Sequence, residues 1–173
     1  GEGKYAGVPQ VFIRFAGCNL KCSWCDSPHA RDMKAPGVST FTPAELWHAI
    51  EELWLGCHSV VLTGGEPLLQ TGFLKDFLPI LHVHKIPVFL ETNGTLPDEL
   101  RKIVDDIDIV SMDLKLPSST GLDPLWDEHV RFLRTAWGKD LYIKIVGSRT
   151  TTMDDMVKAV EMISKGDPSM PLF

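Results

Sequence analysis

The chain has 173 residues, 44% of them hydrophobic and 23% charged, which supplies one globular domain with a core and excludes a disordered segment. With 17 Lys and Arg against 23 Asp and Glu, its formal net charge is −6, so it lacks the global basic field that gathers nucleic acid or anionic lipid. No apolar run approaches the roughly 18 residues that a membrane span needs. The start is not a signal peptide, so a reducing cytoplasm is the expected setting. The chain opens without Met and stops at Phe173 as an apolar run begins, and a piece is expected to be missing at each end.

The first predicted strand covers 10–15. Alternation puts Ile13 and Phe15 on one face and Phe12 and Arg14 on the other, which is the lumen side if the sheet curls into a barrel. A guanidinium there must be paired or await an anion; its fork geometry suits a carboxylate. A salt bridge with Glu2 or Asp113 is the structural alternative. The strand runs into AGCNLKCSWCDS, where Cys18, Cys22 and Cys25 stand in C-x3-C-x2-C spacing. Three thiolates on one loop can hold three irons of a four-iron cubane and leave the fourth iron open. His29 follows at a spacing that could instead complete a Cys3His zinc site. Cys57 is remote, so three clustered cysteines plus one do not form a secreted disulfide framework, and it reads as a buried or idle thiol. Trp24, lodged between two of the cysteines, can wall the loop from water and offer a face to a flat ring.

A helix opens at Thr42-Pro43-Ala44-Glu45 with a capping box and carries Leu46, Ile50 and Leu53 at helical spacing. Strands are expected at 59–63, 87–91, 107–113 and 141–146, with helices over 71–84, 97–104, 124–137 and 153–164. The alternation reads as repeated βα units around parallel strands in a single domain over 1–173. At about 30 residues per unit, the length holds about five, too few for an eightfold barrel. The expected fold is therefore α/β, a partial (βα)n barrel or an open sheet. Its polar residues fall at strand ends, where such folds build their sites. Thr63 leads into Gly64-Gly65-Glu66-Pro67, Glu91 into Asn93-Gly94, and Asp113 into Lys115. Singly these are turn glycines and capping carboxylates. Jointly they make a rim that could grip a zwitterion, with glycines that let backbone approach a ligand. Lys144 in LYIKIV poses the same question as Arg14 with less support. The histidines at 48, 58, 82, 84 and 129 are expected to face solvent, and the tryptophans at 47, 54, 126 and 137 to pack against helices.

The cysteine loop after the first strand and GGEP after the second resemble the radical S-adenosylmethionine superfamily. Within it, GEGKYAGVPQVFIRFAGCNLKCSWCDS at 1–27, TGGEPLLQ at 63–70, ETNGT at 91–95 and DLKLPSS at 113–119 are most similar to the 7-carboxy-7-deazaguanine synthase family. The resemblance implies a radical SAM partial barrel and a 4Fe-4S cluster on Cys18, Cys22 and Cys25. It implies S-adenosylmethionine held by Trp24, Gly64, Gly65, Glu91, Asn93, Asp113 and Lys115. It further implies hydrogen abstraction from 6-carboxy-5,6,7,8-tetrahydropterin, ring contraction to 7-carboxy-7-deazaguanine and loss of ammonia, in queuosine or 7-deazapurine biosynthesis. The carboxypterin would meet Gly1, Glu2, Arg14 and Thr63, and Ser27 would ligate Mg2+. Ser27 stands where the family usually has Thr, and Asp113 where bacterial members often have Ser. A flavodoxin or ferredoxin electron donor and a homodimer are implied too. The rival readings are a glycyl-radical or ribonucleotide-reductase activating enzyme, and a zinc or iron-sulfur module without catalysis.

Overall fold

The computed structural model describes residues 2–173; Gly1, an expected substrate contact, lies outside the described residues. Five strands form one sheet in the order β1 (Gln10–Phe15), β2 (Ser59–Gly64), β3 (Val88–Thr92), β4 (Ile109–Asp113) and β5 (Asp140–Lys144). Every neighbouring pair is parallel. Spatial order thus equals chain order, as successive right-handed βα crossovers produce when a sheet begins to close into a barrel. Beyond β5, the Ile143 amide bonds to the Pro171 carbonyl at 2.9 Å and Leu172 bridges Ile143 in parallel, so 171–173 continue the sheet.

The helices are α1 (Pro43–Ile50), α2 (Thr71–Val83), α3 (Pro97–Leu100), α4 (Pro117–Thr120), α5 (Trp126–Thr135) and α6 (Met153–Gly166). α1 starts as its sequence dictates: Thr42 Oγ1 accepts from the Glu45 amide, and Glu45 Oε2 accepts from the Thr42 amide. α2 buries Leu74, Phe77, Leu78 and Leu81, spaced i, i+3, i+4, i+7, each burial stabilising by about 1.5–3 kcal/mol. They pack on Val60, Leu62, Val88 and Leu90, whose side chains leave the outer face of β2 and β3.

The inner face carries a second, smaller apolar cluster, Val61, Phe89, Ile109 and Tyr142, with Tyr5 packed on it. Tyr5 meets the edge of Phe89 at 5.6 Å, and its hydroxyl donates to Asp140 at the start of β5. The end of the lumen nearest the strand starts is therefore plugged. Two residues further along each strand the inward positions turn polar, at Thr63, Glu91, Ser111 and Lys144, beside Arg14, which registers with Thr63.

Five details depart from the sequence reading. α1 ends at Ile50, the chain tightens into a turn, and Trp54 rather than Leu53 reaches the core. The helix expected over 97–104 breaks after Leu100 into a turn that drops to β4, and a short α4 was not foreseen. His129 is wholly buried, not solvent-facing. Trp137, expected to pack, is 61% exposed.

Candidate active site

The polar end of the lumen opens into a cavity of about 230 Å3. Its walls contain Cys18, Cys22, Cys25, Trp24, Ser27, Gly64, Gly65, Thr63, Glu91, Asn93, Asp113, Lys115, Glu2 and Arg14, which are the cluster, cofactor, Mg2+ and substrate candidates within the described residues. Loops that leave four different strands thus meet at one place, because parallel strands put all their C-terminal ends on one rim.

The cysteine loop is fixed to that rim by its backbone. The Gly65 amide donates to Phe15 O at 2.9 Å, the Glu66 amide to Gly17 O at 2.7 Å, and the Gly17 amide to Ala30 O at 2.8 Å. The approach is close enough that a Cβ on Gly65 would lie 2.1 Å from Gly17 O. On its far side the loop rests on α4. The Ser23 amide bonds to Thr120 O at 3.0 Å, and Trp24 Nε1 donates to Ser119 Oγ at 2.8 Å; that hydroxyl donates onward to Val146 O at 2.7 Å. Trp24 presents its ring to the Lys115 ammonium, 4.6 Å from the centroid, and Lys115 pairs with Asp113 Oδ2 at 2.6 Å.

Glu66 was not singled out from the sequence, although it stands in the GGEP turn. Its carboxylate is fully buried and accepts from the Asn93 amide at 2.8 Å, Thr92 Oγ1 at 2.9 Å and the Leu68 amide at 3.1 Å. Burial outweighs these donors and pushes its pKa up to about 7. Asn93 is held on its side chain as well, by Asn19 Oδ1 at 2.9 Å and Thr95 Oγ1 at 2.6 Å. Its Nδ2 lies 4.0 Å from Cys18 Sγ.

A second charge cluster adjoins the Asp113-Lys115 pair, since Lys144 is the register partner of Asp113 on the next strand. Lys144 Nζ pairs with Glu2 Oε1 at 3.0 Å. Burial alone would lower the Lys144 pKa, but the carboxylates of Glu91 and Glu2 hold it above its ordinary value. Burial raises Glu91, opposed by Lys144, the Thr63 hydroxyl and Arg14. Arg14 has neither of the salt bridges weighed for it, since Glu2 is with Lys144 and Asp113 with Lys115. Its Nη1 donates instead to Ser27 Oγ at 3.1 Å. Lys144 therefore belongs to the site more firmly than its sequence context indicated.

The donor set distinguishes the metal readings. Among the described residues, no three His, Cys, Asp or Glu side chains converge on a point that could hold one ion. Zinc needs its ligands about 2.0–2.3 Å from a single centre. His29 lines a different cavity, behind β1. Three thiols spread along one wall suit a cluster in which each meets its own iron. A ligand beyond that cluster has partners waiting: backbone around Gly64 and Gly65, and Asp113 Oδ1, which is buried with no hydrogen-bond partner. For Mg2+ the chain offers one hydroxyl, Ser27, to which Arg14 already donates. An ion there would draw most of its octahedron from water and bound ligands, as Mg2+ commonly does. Cys57 lies off the site, packed against the core with its thiol on Leu53 O.

Residues 12–167 match the Radical SAM superfamily. The chain is 39% identical to the 7-carboxy-7-deazaguanine synthase of Geobacter sulfurreducens over 189 aligned positions, covering 99% of this chain and 75% of that one. It belongs to the 7-carboxy-7-deazaguanine synthase family of the radical SAM superfamily. A second member of the family, from Methanopyrus kandleri, is 38% identical over 84% of this chain and 65% of its own length. The chain thus spans about two thirds to three quarters of these two relatives, and 45% of a third, from Methanothermobacter thermautotrophicus. Two solved structures share the radical SAM fold. Streptococcus suis SuiB bound to S-adenosylmethionine superposes with a TM-score of 0.62 at 19% identity, covering 91% of this chain and 36% of that one. Escherichia coli QueE gives 0.53 at 18%, covering 99% and 88%. The superfamily carries a 4Fe-4S cluster and S-adenosylmethionine, and the residues of this radical SAM cavity fit both.

Proposed function

We propose that the chain converts 6-carboxy-5,6,7,8-tetrahydropterin to 7-carboxy-7-deazaguanine and ammonia. The observation that carries this reading is a single cavity that brings two sets of groups together. The cysteine loop, Asn93 and the Asp113-Lys115 pair share its walls with Arg14, Glu2, Thr63 and Lys144. Cys18, Cys22 and Cys25 hold the cluster, and Trp24, Gly64, Gly65, Glu91, Asn93, Asp113 and Lys115 hold S-adenosylmethionine. When bound, these groups supply a reductively generated 5′-deoxyadenosyl radical that takes a hydrogen atom from the substrate. The chain's own work is placement. Arg14, which makes neither of the salt bridges weighed for it and donates to Ser27 instead, takes the substrate carboxylate in a charge-assisted fork. Glu2, Thr63 and, outside the described residues, Gly1 orient the ring; Ser27 offers one ligand to Mg2+. The plug of Tyr5, Phe89 and Tyr142 keeps water from entering behind the ligands.

The chain is read as a single domain acting in the cytoplasm, reduced by a flavodoxin or ferredoxin and working as a homodimer. Among the described residues, no helix is long and apolar enough to cross a membrane. Anaerobic reconstitution tests the reading. Four irons per chain, 5′-deoxyadenosine on reduction, and deuterium transfer from C6 of the labelled carboxypterin are expected. Deoxyadenosine without that transfer would instead support an activating enzyme acting on a protein. Absence of both cluster and cofactor cleavage would leave only a metal-binding module.

A further inference from the structure

His129 is a buried titratable side chain beside the site that the reaction does not use. It projects from α5, is 0% exposed, and sits beneath the loops that follow β3 and β4. Its Nε2 is 3.2 Å from Asn93 O and 3.5 Å from the Lys115 amide. One nitrogen cannot donate to the first and accept from the second. If Nε2 carried the lone pair, it would face the carbonyl oxygen at the shorter distance, and a buried Nδ1–H would have no acceptor. With the proton on Nε2, the shorter contact becomes a hydrogen bond, and the longer one from the Lys115 amide is given up along with a bare Nδ1. The other tautomer sets oxygen and nitrogen lone pairs 3.2 Å apart and buries an Nδ1–H with no acceptor, the costlier arrangement. The ring therefore stays neutral with its proton on Nε2, and burial, which lowers its pKa to about 4, agrees.

We propose that His129 is a positioning residue for S-adenosylmethionine, acting through the Asn93 carbonyl; this rests on the reading of Asn93 as a cofactor contact. Asn93 is then restrained at every polar group: its amide by Glu66, its carbonyl by His129, and its side chain by Asn19 and Thr95. The loop lies so close to the imidazole that a Cβ on Gly94 would come within 3.2 Å of His129 Cδ2. Removing the donor leaves a buried carbonyl unpaired, so the Asn93–Gly94 peptide can rotate and shift the loop that carries the Asn93 side chain.

The test uses anaerobically reconstituted, unreduced protein and equilibrium binding of S-adenosylmethionine, so that turnover plays no part. His129→Phe fills the space without a donor and should weaken cofactor binding about 5- to 10-fold, the size of one net hydrogen bond. His129→Gln, which can place an N–H near the same point, should restore affinity to within about twofold. The substrate dissociation constant should be unchanged in both. Asn93→Ala is the companion variant. Should it leave cofactor affinity intact, the cofactor reading of Asn93 fails and the proposal with it. Should Asn93→Ala weaken binding while His129→Phe lowers only the melting temperature, His129 is merely structural and the proposal alone is overturned. If His129→Phe does not fold, nitrogen NMR of the wild-type imidazole at pH 7 decides. A proton on Nε2 supports the proposal, and one on Nδ1 overturns it.

Discussion

Substituting Gly65 with Ala probes the seam that joins the cysteine loop to the sheet. A Cβ at this position would lie 2.1 Å from Gly17 O, 2.6 Å from Gly17 C and 2.7 Å from Ala30 O. All three are main-chain atoms, so no side chain can swing aside. Carbon atoms rest about 3.5–4.0 Å apart, so the loop must retreat by about 1 Å. The hydrogen bonds Glu66 N to Gly17 O and Gly17 N to Ala30 O span the same gap. Losing one or both strands buried groups at about 1–3 kcal/mol each, for a total of about 2–5 kcal/mol. At about 2–4 °C per kcal/mol for a chain of this size, the melting temperature of the cluster-free protein should fall by roughly 10 °C. Iron uptake on anaerobic reconstitution should fall too, since the loop that carries all three thiols has moved. Gly72→Ala is the control, because a Cβ there meets nothing within 4 Å. A Gly65→Ala protein that melts with the parent and takes up full iron would refute the argument.

Arg14→Ala should raise the substrate KM by about 10- to 100-fold, the range of a charge-assisted hydrogen bond, while uncoupled 5′-deoxyadenosine formation changes little; equal loss of both would mark a structural arginine. Cys57→Ser should leave the iron content unchanged, whereas alanine at Cys18, Cys22 or Cys25 should abolish a four-iron cluster, both read by iron and sulfide analysis. Two buried groups set opposing pH slopes. His129 binds its proton near pH 4 when folded but near 6.5 when unfolded, so stability is lost as pH falls through that window. Glu66 binds its proton near 7 when folded but near 4.5 when unfolded, so its contribution is lost as pH rises between those values. Glu66→Gln should unmask the histidine slope: its stability should climb with pH from about 4.5 to 6.5 by up to about 3 kcal/mol, more steeply than the parent's. Parallel profiles in chemical denaturation would show that Glu66 does not titrate in this range.

The strands and the cysteine loop were legible because their signals are local. An apolar run five residues long, closed by glycine or a carboxylate, declares a strand and its end whatever surrounds it. Arg14 could be placed in the lumen from alternation alone, yet its partner could not. Ser27, Glu2 and Asp113 all lay within reach of reasoning, and only the packed structure gives Glu2 to Lys144 and leaves the guanidinium to Ser27. His129 was misread because α5 is polar overall and an imidazole suits a wet face. Its spacing to the buried Phe132 and Ala136, i+3 and i+7, was the available signal. Glu66 was passed over as a turn residue, since sequence does not show that three donors from two loops close over it. The early end of α1 follows from the descent to β2, a tertiary demand that propensity does not carry.

The apolar plug made by Tyr5, Val61, Phe89 and Tyr142 also limits access. No reagent can pass through that end, so both ligands approach from the rim of strand C-termini or from the side where β1 and β5 do not pair. The plug thereby acts as a floor: it sets how deep a ligand can sink along the strands, and a smaller side chain at Phe89 should let the ligands settle lower than the reach of the cysteine loop.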